Sequence, residues 1–417
     1  MNAPHTASFS PESVLDEHGL ASVTLSASWF DGIATHEDQL HVEKLSVWRE
    51  LDLLPPDIAS NVVGMQAGDQ AQQSIAAGET VGPWDKTRRV ITREKCFDRH
   101  YRRGPEVEPR LGRFYPQGFL HDVDSISREA IAPLRIVDLD NGRLTADLNH
   151  PLARFDLGIK LRLDQVLPGH DRRGGRCASP LDDLLQYPGL AAPLGDGRDT
   201  EFGDDAHGMA RVDERPDTAF YAMSRLVQHL DTHALSIVNR LYRRLLPEQA
   251  EVLDLMASFD SHLQGIPLRK LHALGMNAEE LNANRAASQR VIQDLNESPA
   301  LPFPDASLDA IVCTASIEYL TRPHQVLNEA LRVLRPGGVL AASFSNRWFP
   351  TKAIRIWSNL HEFERVGMVA QWLRQAGFSD LHTFSSRGWP RAADDRHANE
   401  TPLCDPVYGV WGFKGPA

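Results

Sequence analysis

The chain has 417 residues, 42% hydrophobic and 24% charged, with a formal net charge of −12. At about 150 residues per domain this length implies two or three domains, and the composition excludes wholesale disorder. Apolar runs such as 310–313 and 339–342 fall far short of the roughly 18–20 residues a spanning helix needs, so no membrane partner is expected. An acidic chain gains nothing from a phosphate backbone, so nucleic acid is not expected as the main partner.

Residues 1–20 are polar and mixed and read as a loose arm. The first ten lack a basic start followed by an apolar stretch, so no signal peptide is expected. From 21 to about 165 the texture is strand-like. Ile159, Leu161 and Leu163 alternate with Lys160 and Arg162, as on a strand with one wet face. Asp140-Asn141-Gly142 is a hairpin signal, because Asn-Gly tolerates the positive φ of a type I′ turn. His36 and His41 read as surface histidines. Cys96, Cys177, Cys313 and Cys404 are far apart and show no zinc spacing. Neither a disulfide framework nor a metal site is expected, and a reducing cytoplasm is the default location.

Residues 166–217 lose all periodicity and are punctuated by Gly174-Gly175, Pro193, Gly195, Gly197 and Gly203. The stretch reads as an interdomain connection. Beyond Phe220 the texture alternates between helix and strand. The spacing predicts helices over 222–246, 279–290, 323–333 and 366–376. It predicts strands over 251–255, 268–274, 291–295, 308–313 and 339–343. Gly337-Gly338 reads as the cap and turn that close the third helix. Such alternation implies a parallel sheet with helices on both faces, and ligands bind beyond the carboxyl ends of its strands.

The C-terminal series Val252-Leu253-Asp254-Leu255, Asp294, the run 301–310, and Glu329 through Arg335-Pro336-Gly337-Gly338 resembles a class I, type 11 S-adenosylmethionine-dependent methyltransferase over about 220–414. The resemblance implies a Rossmann-like α/β fold that binds S-adenosylmethionine. It places Asp254, Met256, Ala257, Ser258, Asn277, Asp294, Leu295 and Ser316 at the cofactor. Asp294 and the Leu295 amide would face adenine, and Asn277 would stand in for a ribose acid. Two departures stand out: residues 256–262 contain no glycine, and Gly275 occupies the place of the usual ribose-binding acid. A narrower methyltransferase-like subgroup is similar in these same places, with Leu253 through Ser258, His262-Leu263, Gly275-Met276-Asn277 followed by Glu280-Leu281, Gln293-Asp294-Leu295-Asn296, and Ser345 through Ala353. Ser316, Glu318 and Tyr319 lie where acceptors enter, and Arg347 and Lys352 are either anion ligands or solvated. Arg225 and His229 fall on one predicted helical face. No catalytic base is identified, because an activated methyl sulfonium demands mainly orientation.

The N-terminal run Asp147-Leu148-Asn149-His150-Pro151-Leu152-Ala153, with Val62-Val63-Gly64-Met65-Gln66-Ala67-Gly68-Asp69, resembles SlyD-like FKBP-type peptidyl-prolyl isomerases. The resemblance implies an α+β domain with an antiparallel sheet, and makes 94–130 the insert-in-flap segment that binds extended chains. Thr80-Val81-Gly82 stands where the family has Ala-Tyr-Gly.

Two domains are therefore expected: 21–166, FKBP/SlyD-like, and 218–417, methyltransferase-like, joined by a linker over 167–217. The implied function is methyl transfer from S-adenosylmethionine coupled to a peptide-binding, isomerase-like module. Its partner would be a protein or peptide held by that module, or a small-molecule acceptor. The other reading is an isomerase or chaperone scaffold whose methyltransferase-like half is inactive.

Overall fold

The computed structural model describes residues 14–104, 106–124, 126–168, 179–186 and 193–416. The N-terminal half supplies β1 (Leu20–Phe30), β2 (Ala34–Ser46), β3 (Gln70–Ile75) and β8 (Leu157–Leu167). Between β3 and β8 lie β4 (Arg89–Arg93), β5 (Phe114–Pro116), β6 (Pro133–Asp140) and β7 (Arg143–Asp147). The C-terminal half supplies β9 (Ala250–Leu255), β10 (Leu268–Gly275), β11 (Gln289–Ile292), β12 (Leu308–Thr314), β13 (Leu334–Phe344), β14 (Phe378–Arg387) and β15 (Val407–Lys414).

Both halves share one 11-stranded sheet, ordered β11-β10-β9-β12-β13-β15-β14-β2-β1-β8-β3. The joint is a parallel pairing of β14 with β2, running from Leu381↔Ala34 to Arg387↔Leu40. Parallel pairing of β10, β9, β12 and β13, with helices on both faces, explains why β12 and 339–344 of β13 are apolar and buried almost throughout. Pro323–Val333 and Glu362–Ala376 pack on one face, and Thr232–Leu245 packs on the other.

The four N-terminal strands pair antiparallel. In β8, Ile159, Leu161 and Leu163 are buried while Lys160 and Arg162 are exposed, as their alternation predicts. The inserted strands form a separate four-stranded sheet, β4-β7-β6-β5. That sheet runs from Arg89 to Asp147, so the insert is wider than the 94–130 expected. The Asn141-Gly142 hairpin, with φ of 49° and 76°, belongs to it.

The sequence reading needs several corrections. The helix expected over 222–246 starts at Thr232, because the Asp231 side chain caps it by accepting from the Ala234 amide at 2.8 Å. The helix expected over 279–290 ends at Ala283, where the Arg290 guanidinium takes up the Leu281 and Asn284 carbonyls. Gly337, at φ 78°, turns the chain within β13 and does not cap the preceding helix. His36 and His41 are buried, at 2% and 6% exposure, not on the surface. His36 bridges the halves by bonding Asp31 on one side and Thr383 on the other.

The stretch read as a connection is packed wherever it is described. Thr200 exchanges backbone hydrogen bonds with the Gln371 side chain, and Trp372 Nε1 donates to Asp204 at 2.8 Å. Residues 169–178, with Cys177 and Gly174-Gly175, lie outside the described residues, as do 187–192 and residues 1–13 of the expected arm.

Candidate functional site

β9, β10, β11 and β12 run parallel and end on one edge of the sheet. The loops leaving those ends enclose a cavity of about 1190 Å³, counted out to its mouth. Asp254, Met256, Ala257, Ser258, Asn277, Asp294, Leu295 and Ser316, all expected from sequence, line it together. Residues that are 62 positions apart meet here because each lies at a strand's carboxyl end or within three residues past it, where the alternation of strand and helix must turn.

Met256 stands at φ 61°. That left-handed conformation costs an L residue roughly 1–2 kcal/mol and suits glycine, the residue type that the methyltransferase resemblance implies for this loop. The loop is then pinned: the Ala257 amide donates to the Leu274 carbonyl at 2.7 Å. This close approach explains Gly275. A Cβ there would meet the Ala257 carbonyl oxygen at 2.1 Å, so an acid at this position would force the backbone to shift.

Glu280 supplies a carboxylate in the same cavity from the first turn of the helix Ala278–Ala283. It accepts from Ser258 Oγ at 2.7 Å and from the Arg225 amide at 2.7 Å. Asn277 caps this helix, accepting from the Glu279 and Glu280 amides, and its Nδ2 donates to the Tyr221 carbonyl at 2.8 Å. Its amide is therefore committed to holding segment 221–225 over the cavity. Asp294 takes the Asn296 amide at 2.9 Å in a side-chain turn. Ser316 Oγ donates to the Thr314 carbonyl at 2.9 Å.

Asp254 is 3% exposed, and burial pushes its carboxyl up to about 7 against the help of the Ser261 hydroxyl and His262. Asp260, bonded to His262, is held well below the usual carboxylate range. Because the folded Asp254 keeps its proton to higher pH than the unfolded chain, folding binds that proton between pH about 4 and about 7. Its contribution to stability therefore falls as pH rises through that window. Asp254→Asn is expected to gain stability relative to wild type from pH 5 to pH 8, by at most about 3 kcal/mol. Urea unfolding of both proteins at the two pH values measures the difference. A difference that shrinks with rising pH contradicts the burial account.

Arg225 and His229 do not share a helical face, since the segment is irregular, yet both line the cavity. The Arg225 guanidinium lies 4.6 Å from the Phe220 ring and 5.4 Å from that of Phe349. Tyr319 lines the cavity with Ser316, whereas Glu318 turns into the core, 1% exposed, and burial pushes it up to about 8. Arg347, partly exposed, and Lys352, buried, are both engaged by carboxylates. Arg347 pairs with Asp405 at 2.7 Å, and Lys352, fully buried, pairs with Asp217 at 3.0 Å. Sequence reasoning missed Glu280, Asp260 and Gln228. Glu280 stands in the pattern shared with the narrower methyltransferase-like subgroup, which assigns it no role.

Residues 261–342 match the model of a methyltransferase domain. The chain is 37% identical over 89 residues to the ubiquinone/menaquinone biosynthesis C-methyltransferase of Roseobacter denitrificans, covering 21% of this chain and 34% of that protein. It is 27% identical over 165 residues to the malonyl-[acyl-carrier protein] O-methyltransferase of Methylococcus capsulatus, covering 36% and 60%. A solved S-adenosylmethionine-dependent methyltransferase from Archaeoglobus fulgidus aligns at 16% identity and TM-score 0.32, over 43% of this chain and 94% of that one. The chain spans less than two thirds of the length of these curated relatives. Residues 261–342 are thus similar to a methyltransferase domain, and the curated relatives matching this part of the chain are methyltransferases.

Proposed function

We propose that the chain transfers a methyl group from S-adenosylmethionine held in the cavity at the carboxyl edge of β9, β10, β11 and β12. The observation that carries this reading is the convergence there of all the cofactor residues expected from sequence. The donor set suits the cofactor. Asp254 offers a buried carboxyl to a cationic group, and Asp294 with the Leu295 amide offers an acceptor and a donor to an aminopurine edge. Glu280 offers a carboxylate to ribose hydroxyls in place of the acid that Gly275 lacks. When bound, the cofactor supplies an activated methyl on a sulfonium, so the protein's task is orientation and exclusion of water. Tyr221, Arg225 and Phe349 form the wall that does this, and Asn277 and Glu280 hold the segment carrying the first two.

For the N-terminal half we propose a SlyD-like, peptide-holding module. A four-stranded antiparallel sheet interrupted before its last sequential strand by an independent sheet supports that reading. The acceptor would then be a protein or peptide held near the joint, with a small molecule as the other class of acceptor. A cytoplasmic location fits Cys96, Cys313 and Cys404, which are free thiols. One observation favours the second reading, a chaperone scaffold with an inactive transferase: Met256 puts a bulky side chain where the methyltransferase resemblance implies glycine.

Two measurements test the proposal on the full chain. Glu280→Gln is expected to weaken S-adenosylmethionine about tenfold in calorimetry, the size of a lost charge-assisted hydrogen bond. Labelled methyl is expected to enter a permanently unfolded protein incubated with the chain. Unchanged affinity in the variant removes Glu280 from the site. Cofactor binding with neither an unfolded protein nor small nucleophiles labelled favours the scaffold.

A further inference from the structure

A second cavity, of about 1040 Å³ counted out to its mouth, opens where β14 meets β2 and shares no lining residue with the first. Its walls come from both halves: Trp29, His36 and Asp38 on one side, and β14, the start of the helix Glu362–Ala376 and residues 401–406 on the other. Cavities at such joints are preferred ligand sites.

One buried donor in it is unanswered. Trp29 is 5% exposed, and its Nε1 has no hydrogen-bond partner among the described residues. His36, stacked on Trp29 at 4.8 Å, cannot help. Its two ring nitrogens are taken by Asp31 Oδ2 at 2.8 Å and Thr383 Oγ1 at 2.7 Å. A buried donor left open is costly, so an acceptor on a ligand would be favoured there.

The charge of the walls points to the ligand's sign. Three carboxylates, Asp38, Glu362 and Asp405, face two guanidiniums, Arg387 and Arg391. Arg391 is consumed by Asp405 at 2.8 Å and Asp395 at 3.0 Å, with Asp231 at 3.5 Å behind it. Arg387, which also faces Asp38, gives Nη2 to the Asp183 and Leu184 carbonyls at 3.1 and 2.8 Å. The Ser385 hydroxyl donates to Asp38; burial pushes the Asp38 carboxyl up, and the Arg387 guanidinium opposes that shift. Counted formally, three carboxylates against two guanidiniums leave the cavity walls one negative charge in excess. Its apolar lining includes the rings of Trp29, Phe363, Phe384 and Tyr408, whose faces attract cations.

We propose that this cavity binds a small organic ammonium ion that also carries a hydroxyl or carbonyl oxygen. The ammonium sits against Asp38 among the aromatic rings, and the oxygen accepts from Trp29 Nε1. The site is distinct from the first cavity but adjoins it through a pair of buried hydrogen bonds. The Asp405 amide donates to the Asp231 carboxylate at 2.5 Å, the Asp231 amide donates to the Asp405 carboxylate at 3.0 Å, and Asp231 follows Leu230 of the first cavity.

Calorimetry on the full chain with choline and with tyramine, each against a neutral isostere (3,3-dimethylbutan-1-ol and 4-(2-hydroxyethyl)phenol), tests this. At least one cation is expected to bind about tenfold or more tighter than its isostere. Asp38→Asn is expected to remove that preference. Trp29→Phe, which keeps the aromatic wall and so guards against misfolding of the first variant, is expected to weaken the cation about fivefold. The proposal is overturned if cations bind no better than their isosteres, if neither binds, or if Trp29→Phe binds as wild type does.

Discussion

Replacing Gly275 with aspartate, the residue type that the methyltransferase resemblance places there, is expected to destabilise the protein by about 3 kcal/mol and not to improve cofactor binding. The reason is local and steric. The new Cβ would lie 2.1 Å from the Ala257 carbonyl oxygen and 3.3 Å from Leu281 Cδ2. Neither neighbour has room to give. Ala257 is tied to Leu274 at 2.7 Å, and Gly275 itself pairs with Ile292 in the parallel ladder. Gly275→Ala should carry most of the same penalty, because the clash begins at Cβ. Urea unfolding of both variants checks this. A Gly275→Ala protein as stable as wild type would contradict the close approach, and with it the reason for moving the acid to Glu280.

Arg113→Met is expected to cost about 3–5 kcal/mol, because it strands a buried carboxylate. Arg113 precedes β5 in the inserted sheet, and Glu364 lies in the first turn of the helix Glu362–Ala376. They are 7% and 2% exposed and joined by bonds of 2.7 and 3.2 Å. Glu364 also accepts from the Phe114 amide at 3.1 Å, so it is positioned by the same segment that neutralises it. The double variant Arg113→Met/Glu364→Met should recover most of the loss, since two apolar side chains leave no unpaired charge. Denaturant unfolding of the single and double variants gives the answer. A single variant within about 1 kcal/mol of wild type would show that the pair does not hold the insert to the C-terminal half.

The cofactor cavity was legible in the sequence because parallel strands buried on both faces announce themselves as apolar runs. Their carboxyl ends then point to Asp254 and Asp294, and the methyltransferase resemblance adds the other expected lining residues. Glu280 could not be placed either way, since an acid in the first turn of a helix is ordinary on any surface. The helix start at Thr232 was hidden by Leu226 and Leu230, which fall at helical spacing, although Asp231 was available as a cap signal. Arg347 and Lys352 looked free because their partners, Asp405 and Asp217, are remote in sequence. The shared sheet was the least legible feature. Ser385 and Ser386 in β14 are polar yet buried, and only the pairing with Asp38 and Gln39 of β2 explains why. Strand alternation records which face is wet, not which distant strand lies alongside.

The central claim is that the cavity at the carboxyl edge holds S-adenosylmethionine. Titration calorimetry of the full chain with that cofactor, beside Asp294→Ala, tests it most directly. The account predicts saturable one-site binding in the wild type and affinity about tenfold or more weaker in the variant. No saturable heat at about 1 mM cofactor, or equal affinity in both proteins, would contradict it.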